Sequence, residues 1–280
     1  MSKGLLDPKV DFVFKNIFGS PNHPEILISF LNATLKAKKK IVNVDIKKTD
    51  IEKQYIEDKY SRLDVKATTS NDEIINIEIQ LKNENNMVKR SLYYLSKMYE
   101  EQLNEKEDYS KLVRKVCINI LNFKYLKTDN FHTGYRFKEI ESNEELTDIM
   151  EVHFIEIPKL QDSSDEKDML VAWTEFLKDP ESEKVRGLEL SIEEIRQAKD
   201  ELIRMSNDST QRELYDMRAN SLRDKMSELN AAERKGIEKG REEGRKEEKI
   251  KIARNMKLNG LDTNTIAKVT NLSEDEIDKL

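Results

Sequence analysis

Two short stretches constrain the fold most: Arg62-Leu63-Asp64-Val65-Lys66 and Asn76-Ile77-Glu78-Ile79-Gln80-Leu81-Lys82. Both alternate apolar and polar residues, and β-branched residues are prominent in the second, so both are predicted as strands. The polar insert at residues 68–73 reads as the turn of a hairpin between them. Successive side chains on a strand point to opposite faces. Glu78, Gln80 and Lys82 therefore share one face, and Ile77, Ile79 and Leu81 the other. Antiparallel pairing brings Asp64 to the same edge as Glu78. Two carboxylates beside an amide and an amine suit Mg²⁺-dependent phosphodiester cleavage: hard oxygens hold the ion, and a neighbouring polar group positions the attacking water. The same pattern also describes the solvated face of an amphipathic hairpin, and spacing alone does not separate the two.

The 280 residues allow one large or two modest domains with a proper core. Charged residues make up 37% of the chain, against only 8 Gly and 5 Pro, which favours long exposed helices over a turn-rich all-β protein. The net charge of −6 excludes a uniformly basic nucleic-acid binder. Any such contact has to come from local clusters, Lys36-Ala37-Lys38-Lys39-Lys40 or residues 111–127 around Arg114, although clusters of this kind are more often solvated surface. The single cysteine, Cys117, lies in the apolar run at residues 116–121, so an intramolecular disulfide is impossible and a buried thiol is expected. The first residues lack the apolar core of a signal peptide, and no run is long enough to span a bilayer; a cytoplasmic protein without membrane contact is expected.

Along the chain, residues 11–18 carry helical periodicity stopped by Gly19, and Pro24 opens a second helix through Ile28, Leu31 and Leu35. Residues 41–46 alternate as a strand, and the two strands above follow. Residues 87–103 are predicted as a helix, residues 116–123 as a buried strand and residues 152–158 as a further strand. That order describes an α/β domain over residues 1–160. A helical extension over residues 161–230 follows, with stripes at Met169, Ala172, Trp173, Phe176 and Leu177, then at Leu190, Ile195, Ala198, Leu202 and Ile203. Residues 231–255 read as a charged, partly frayed linker helix. Its Gly236, Gly240 and Gly244 each weaken the helix by about 1 kcal/mol, and they also form a stripe suited to self-association. Residues 256–280 have the outline of a helix-turn-helix, with Ser273 and Glu276 as a capping box. Its second helix opens Glu274-Asp275-Glu276, placing carboxylates where a DNA reader meets phosphates, so a packing or protein-contact role is expected.

The predicted helix after Gln80 carries Arg90, Tyr94, Met98 and Gln102 at four-residue steps. Arg90 and Tyr94, near the Glu78 strand, can bind phosphate; the other reading docks the helix through Leu92, Leu95 and Tyr99 and leaves Arg90 in solvent. No competing chemistry is visible. His23, His132 and His153 lack zinc-ligand spacing, and no phosphate-cradling glycine loop points to a nucleotide cofactor.

With these residues in view, the chain resembles the recombination-promoting nucleases, also described as PD-(D/E)XK family transposases. The likeness rests on Asp11-Phe12-Val13-Phe14-Lys15, Arg62-Leu63-Asp64-Val65, Ile77-Glu78-Ile79-Gln80, Arg90-Ser91-Leu92-Tyr93-Tyr94 and Phe154-Ile155-Glu156-Ile157-Pro158-Lys159-Leu160, and it runs in order along nearly the whole chain. The resemblance implies a restriction-endonuclease-like α/β core, a mixed sheet flanked by helices, followed by a helical C-terminal region. It implies a Mg²⁺-dependent DNA endonuclease (Mn²⁺ or Ca²⁺ as alternative ions) that promotes recombination or mobile-element activity. Asp64, Glu78 and the backbone carbonyl of Ile79 would hold the ion, with Asp11 as an accessory acid. Lys15, Arg90 and Tyr94 would contact DNA. Gln80 stands where the wider superfamily usually has lysine; an amide cannot take a proton from water, so Lys82 is the residue expected to supply the missing charge. The alternative is a catalytically inactive DNA- or protein-binding member of the same fold. Cutting two strands is simplest with two sites, so a homodimer is a further expectation.

Overall fold

A computed structural model describes residues 4–36, 39–47, 65–165 and 167–280. The helices α1 (Asp11–Phe18) and α2 (Pro24–Leu35) come first, then β1 (Val44–Lys47), β2 (Val65–Thr69) and β3 (Ile74–Gln80). Helix α3 (Met87–Glu100) leads to β4 (Lys115–Leu121), followed by β5 (His132–Lys138) and β6 (Glu145–Glu156). The rest is helical: α4 (Met169–Lys178), α5 (Glu183–Glu189), α6 (Glu193–Asn207), α7 (Ser209–Leu258), α8 (Thr263–Thr270) and α9 (Glu274–Asp278).

The six strands form one mixed sheet in the order β1-β2-β3-β4-β6-β5. β1, β2 and β3 are an antiparallel meander; β3, β4 and β6 are parallel; β5 closes the far edge antiparallel to β6. Every residue of β4 is buried, as expected of a central parallel strand covered on both faces. Register assigns the faces. Asn76, Glu78 and Gln80 lie opposite Cys117, Asn119 and Leu121, so all six point to one side. That side carries α3, whose Met87, Leu95 and Met98 pack with Cys117, Leu121, Val152 and Phe154. Ile75, Ile77 and Ile79 point to the other side, with Ile118 and Val65. There the end of α1 approaches β2: a Cβ on Gly19 would lie 3.4 Å from the Val65 side chain. Phe14, Phe18, Phe30, Trp173 and Phe176 fill a continuous aromatic cluster, and the Trp173 indole donates to the Ser29 hydroxyl at 3.2 Å. Buried this fully, an indole N–H needs such a partner.

The chain divides into two compact units, Met1–Ala219 and Asn220–Leu280, with the boundary inside α7. In the second unit Ala253, Ile266, Leu272 and Ile277 make a small core. Asp262 caps α8, and Ser273 with Glu276 forms the expected capping box on α9. Asn271 takes the left-handed conformation, at φ 57°, that reverses the chain between α8 and α9.

Several elements differ from the sequence expectation. β3 ends at Gln80, so Lys82 lies beyond the strand instead of on its face. β2 continues to Thr69, which shortens the turn; residues 62–64 of the expected strand lie outside the described residues. β5 was absent from the expectation because His132-Thr133-Gly134-Tyr135-Arg136-Phe137-Lys138 is largely polar and only partly covered. β6 starts seven residues earlier than expected, since its first half, residues 145–150, is exposed or only partly covered and carries no buried apolar run. Leu190 is exposed at the end of α5 and belongs to no core stripe. The charged linker is one unbroken helix, α7, through all three glycines. Strong helix formers and pairs such as Lys239–Glu243, at 3.7 Å, offset the glycine penalty.

Candidate active site

Glu78 sits in β3 directly across from Asn119 of β4 and is only 2% exposed. Gln80, two positions on and on the same face, donates its amide Nε2 to Glu78 Oε1 at 2.8 Å. The chain then turns back over this face. In the connecting loop Asn85 adopts φ 57°, and its N–H is held by the Asn83 side chain at 2.8 Å, an Asx turn. Helix α3 follows, and from its first turn Arg90 reaches down so that Nη2 donates to the same Oε1 of Glu78. The Arg90 guanidinium carbon lies 5.4 Å from the centroid of the Tyr94 ring, and Nη1 lies 3.9 Å from Glu84 Oε2.

Burial pushes the Glu78 carboxyl above the usual carboxylate range. Arg90 and Gln80 pull it down but do not overcome the loss of water. Nearby, burial and the Glu78 charge push the Cys117 thiol up to about 12, which removes it as a nucleophile at neutral pH.

Helix α3 is fixed to the sheet by a polar link that the sequence reading missed. The Ser91 hydroxyl lies 2.7 Å from the Met87 carbonyl and 2.9 Å from Asn119 Oδ1, and Asn119 Nδ2 donates to the His153 carbonyl at 3.0 Å. The signal was an asparagine inside the otherwise apolar run Val116-Cys117-Ile118-Asn119-Ile120-Leu121. The inward stripe of α3 is Met87, Ser91, Tyr94, Leu95 and Met98, while Leu92 is exposed; the alternative that docked Leu92 and left Arg90 in solvent is overturned.

The remaining expected site residues are placed as follows. Asp64 lies outside the described residues. Ile79 turns its side chain away from Glu78, and its strand pairs with β4 at Ile120. Lys82 follows the end of β3 in the loop before α3. Asp11 opens α1, where it forms an ion pair with Arg218 of α7 at 2.8 Å and accepts from the Phe12 N–H at 2.7 Å. Lys15 lies in the last turn of α1. Tyr94 is buried beneath Arg90 and presents the site with a ring face. In the basic run around residues 111–127, Arg114 is committed to Glu73 at 3.0 Å and to Glu151.

A second polar cluster occupies the other face, between β5 and β6. His153 Nε2 lies 2.6 Å from Glu151 Oε1, and His132 Nε2 lies 2.9 Å from His153 Nδ1, with the two rings stacked. Arg114 and Arg136 complete the shell of Glu151. Although burial acts upward, the hydrogen bonds from His153, Arg114 and Arg136 hold the Glu151 carboxyl down at about 2. Burial, with His153 and Lys36 nearby, lowers His132 to about 4. Residues 132 and 153 look unrelated in the sequence, and the pairing of β5 with β6 brings them together.

A buried carboxylate, an amide on the same strand face and an arginine from the following helix are set on a mixed sheet flanked by helices. Residues 8–232 match the family described as PD-(D/E)XK nuclease family transposase. The chain belongs to that family. Residues 246–280 match a second description, the C-terminal HTH domain of Rpn/YhgA-like nucleases. Comparisons with curated proteins and with solved structures returned no match. PD-(D/E)XK nucleases generally use divalent metals. Among the described residues no group of three or more His, Cys, Asp or Glu is placed to hold one. The donor chemistry nonetheless fits a hard cation: Glu78 offers a carboxylate whose burial demands a positive partner, and here Arg90 supplies the charge. No helix is long and apolar enough to cross a membrane among the described residues.

Proposed function

We propose that the protein is a metal-dependent DNA endonuclease that hydrolyses phosphodiester bonds, in the setting of recombination or element mobility that its transposase family suggests. The observation that carries this reading is Glu78: a carboxylate almost wholly withdrawn from water, on the strand that carries Ile77-Glu78-Ile79-Gln80. Asp64, the residue before Val65 in the sequence, is the second ligand in this reading, with the Ile79 carbonyl as a third. A bound ion, Mg²⁺ for preference, would supply Lewis-acid polarisation of the phosphate and a nucleophilic water at neutral pH.

The chain's own groups supply the rest. Gln80 uses its N–H₂ on Glu78, which leaves its carbonyl oxygen to accept a hydrogen bond from the attacking water and so orient it. Arg90, stacked over Tyr94, offers a planar fork to a phosphate oxygen and stabilises the charge that builds on phosphorus. Lys82, in the loop beyond β3, adds positive charge at the same end of the strand. Asp11, paired with Arg218, keeps in this reading the role of an accessory acid.

In this reading DNA is gripped by the nuclease domain. Helix α9 exposes Glu274 and Asp275 at its start, which repels phosphate, so a DNA contact by the C-terminal HTH domain would use another of its surfaces. A homodimer would give two cutting sites, one for each strand.

The test is incubation of supercoiled plasmid with full-length protein over a range of divalent ions. Nicking or linearisation that is lost in Glu78→Gln and in Asp64→Asn supports the enzyme. DNA retention with no cutting by clean wild-type protein in any of the ions would replace it with the binding-only member of the fold.

A further inference from the structure

We propose that Arg90 is a placeholder cation: it occupies Glu78 until a divalent ion takes the carboxylate, and the released guanidinium then engages a substrate phosphate. The proposal rests on the reading of Glu78 as a metal ligand and goes beyond it, because it couples ion binding to phosphate binding through one side chain.

The geometry of the pair carries the inference. A settled Arg–carboxylate pair uses the edge formed by Nε and Nη2, whose two N–H bonds point the same way and meet both carboxylate oxygens. Here only Nη2 reaches Glu78, at Oε1, an oxygen that Gln80 also uses. Nε of Arg90 is buried and has no hydrogen-bond partner among the described residues. Half of the arginine's binding edge is therefore empty in a place without water, which is costly unless an acceptor arrives. An anionic oxygen beside Glu78, as on a phosphate, would fill it.

Arginine also has somewhere to go. Glu84 Oε2 lies 3.9 Å from Nη1, on the loop leading into α3, and the Tyr94 ring supports the guanidinium plane from below. A shift of the head group away from Glu78 keeps both contacts within reach, so the charge is never stranded. Two cations cannot share one buried carboxylate oxygen comfortably, so the ion and Arg90 compete for Glu78 while phosphate and Arg90 cooperate.

The experiment measures Mn²⁺ affinity of the full-length protein without DNA, by the electron paramagnetic resonance signal of free Mn²⁺. DNA affinity is then measured with and without Ca²⁺. Removing the arginine charge in Arg90→Gln should tighten Mn²⁺ binding at least about tenfold, because a like charge has left the immediate neighbourhood of the ion. Arg90→Met, which keeps the stem packed on Tyr94, is a second neutral variant and should behave alike. In wild type Ca²⁺ should strengthen DNA binding at least about fivefold, and both variants should lose that enhancement. Mn²⁺ binding that is unchanged or weaker in the neutral variants overturns the placeholder. Mn²⁺ binding that survives intact in Glu78→Gln overturns instead the underlying assignment of Glu78, so the two failures are told apart.

Discussion

Asn119 lies directly across the β3–β4 ladder from Glu78, and its amide ties Ser91 of α3 to the His153 carbonyl of β6. One side chain thus joins the strand beside the carboxylate, the helix that carries Arg90 and the next strand of the sheet. Removing it leaves the His153 carbonyl and the Ser91 hydroxyl without this partner, in a place that water does not reach. Asn119→Ala should lower stability by about 2–4 kcal/mol, a lost buried network plus a small cavity. Urea unfolding checks the loss. Ser91→Ala, which removes one link only, should cost less than half as much.

The raised carboxyl of Glu78 makes the site a source of instability that grows with pH. A carboxyl whose folded pKa exceeds its unfolded value binds more protons in the native state, so its contribution falls as pH rises. The decline begins near the unfolded value of about 4.3 and is complete above the raised folded value. Glu78→Gln has no such titration. The stability difference, wild type minus variant, should therefore fall as pH rises from the ordinary carboxylate value, measured by thermal unfolding in a matched buffer series. A flat difference would mean that Arg90 compensates the buried charge in full.

The opposite dependence should come from the other face of the sheet. His132 is held at about 4, so the native state favours its neutral form; that stability is present above about 6.5 and is lost as pH falls through the window down to 4. The groups facing it are His153, Lys36, Asp168 and Glu151, of which His153 and Lys36 resist its protonation. Glu151, held at about 2, loses its contribution progressively as pH falls from the usual carboxylate value toward 2. Acid should therefore loosen the β5–β6 pairing first. His132→Gln should remove the pH 4–6.5 part of the acid sensitivity, at most about 3 kcal/mol. Circular dichroism melts at pH 4.5 and pH 7 compare the two proteins. Equal pH dependence would rule out His132 as the group responsible.

The α/β order, the hairpin before β3 and the placement of Glu78 and Gln80 were legible because period-two alternation is a local signal. β5 was not legible, since a partly exposed edge strand with a central Gly134 has no clean alternation. Arg90 was singled out, but its direction was open: the helical stripe Arg90, Tyr94, Met98 is polar at one end and apolar at the other, and only packing on Cys117 and Leu121 decides that it faces inward. Asn119 and the pair His132–His153 depend on strand register between segments far apart in sequence, which no local pattern encodes. Lys82 shows the converse. Alternation continued past the point where the strand ends, because Leu81 and Lys82 keep the pattern after the ladder to β4 has stopped at Leu121.

That break separates Gln80 from Lys82 as the partner of Glu78. Gln80 is in direct contact with the carboxylate, so its loss removes both a hydrogen bond to Glu78 and the carbonyl that would orient water. Lys82, off the strand, depends on a long stem and on the loop that leads to α3. If charge near the phosphate is what matters, Lys82→Ala should lose at least about tenfold in cutting rate, equivalent to about 1.4 kcal/mol of transition-state stabilisation. If orientation of water matters, Gln80→Ala should lose more than that, and Lys82→Ala little. The contact of Gln80 with Glu78 favours the second outcome for the larger share. Gln80→Lys should keep or raise activity, because an ammonium there both pairs with Glu78 and faces the developing negative charge. Single-turnover rates on one duplex, with each variant at saturating metal, decide between them. A dead Lys82→Ala beside a fully active Gln80→Ala would move the catalytic charge off β3 altogether and into the loop before α3.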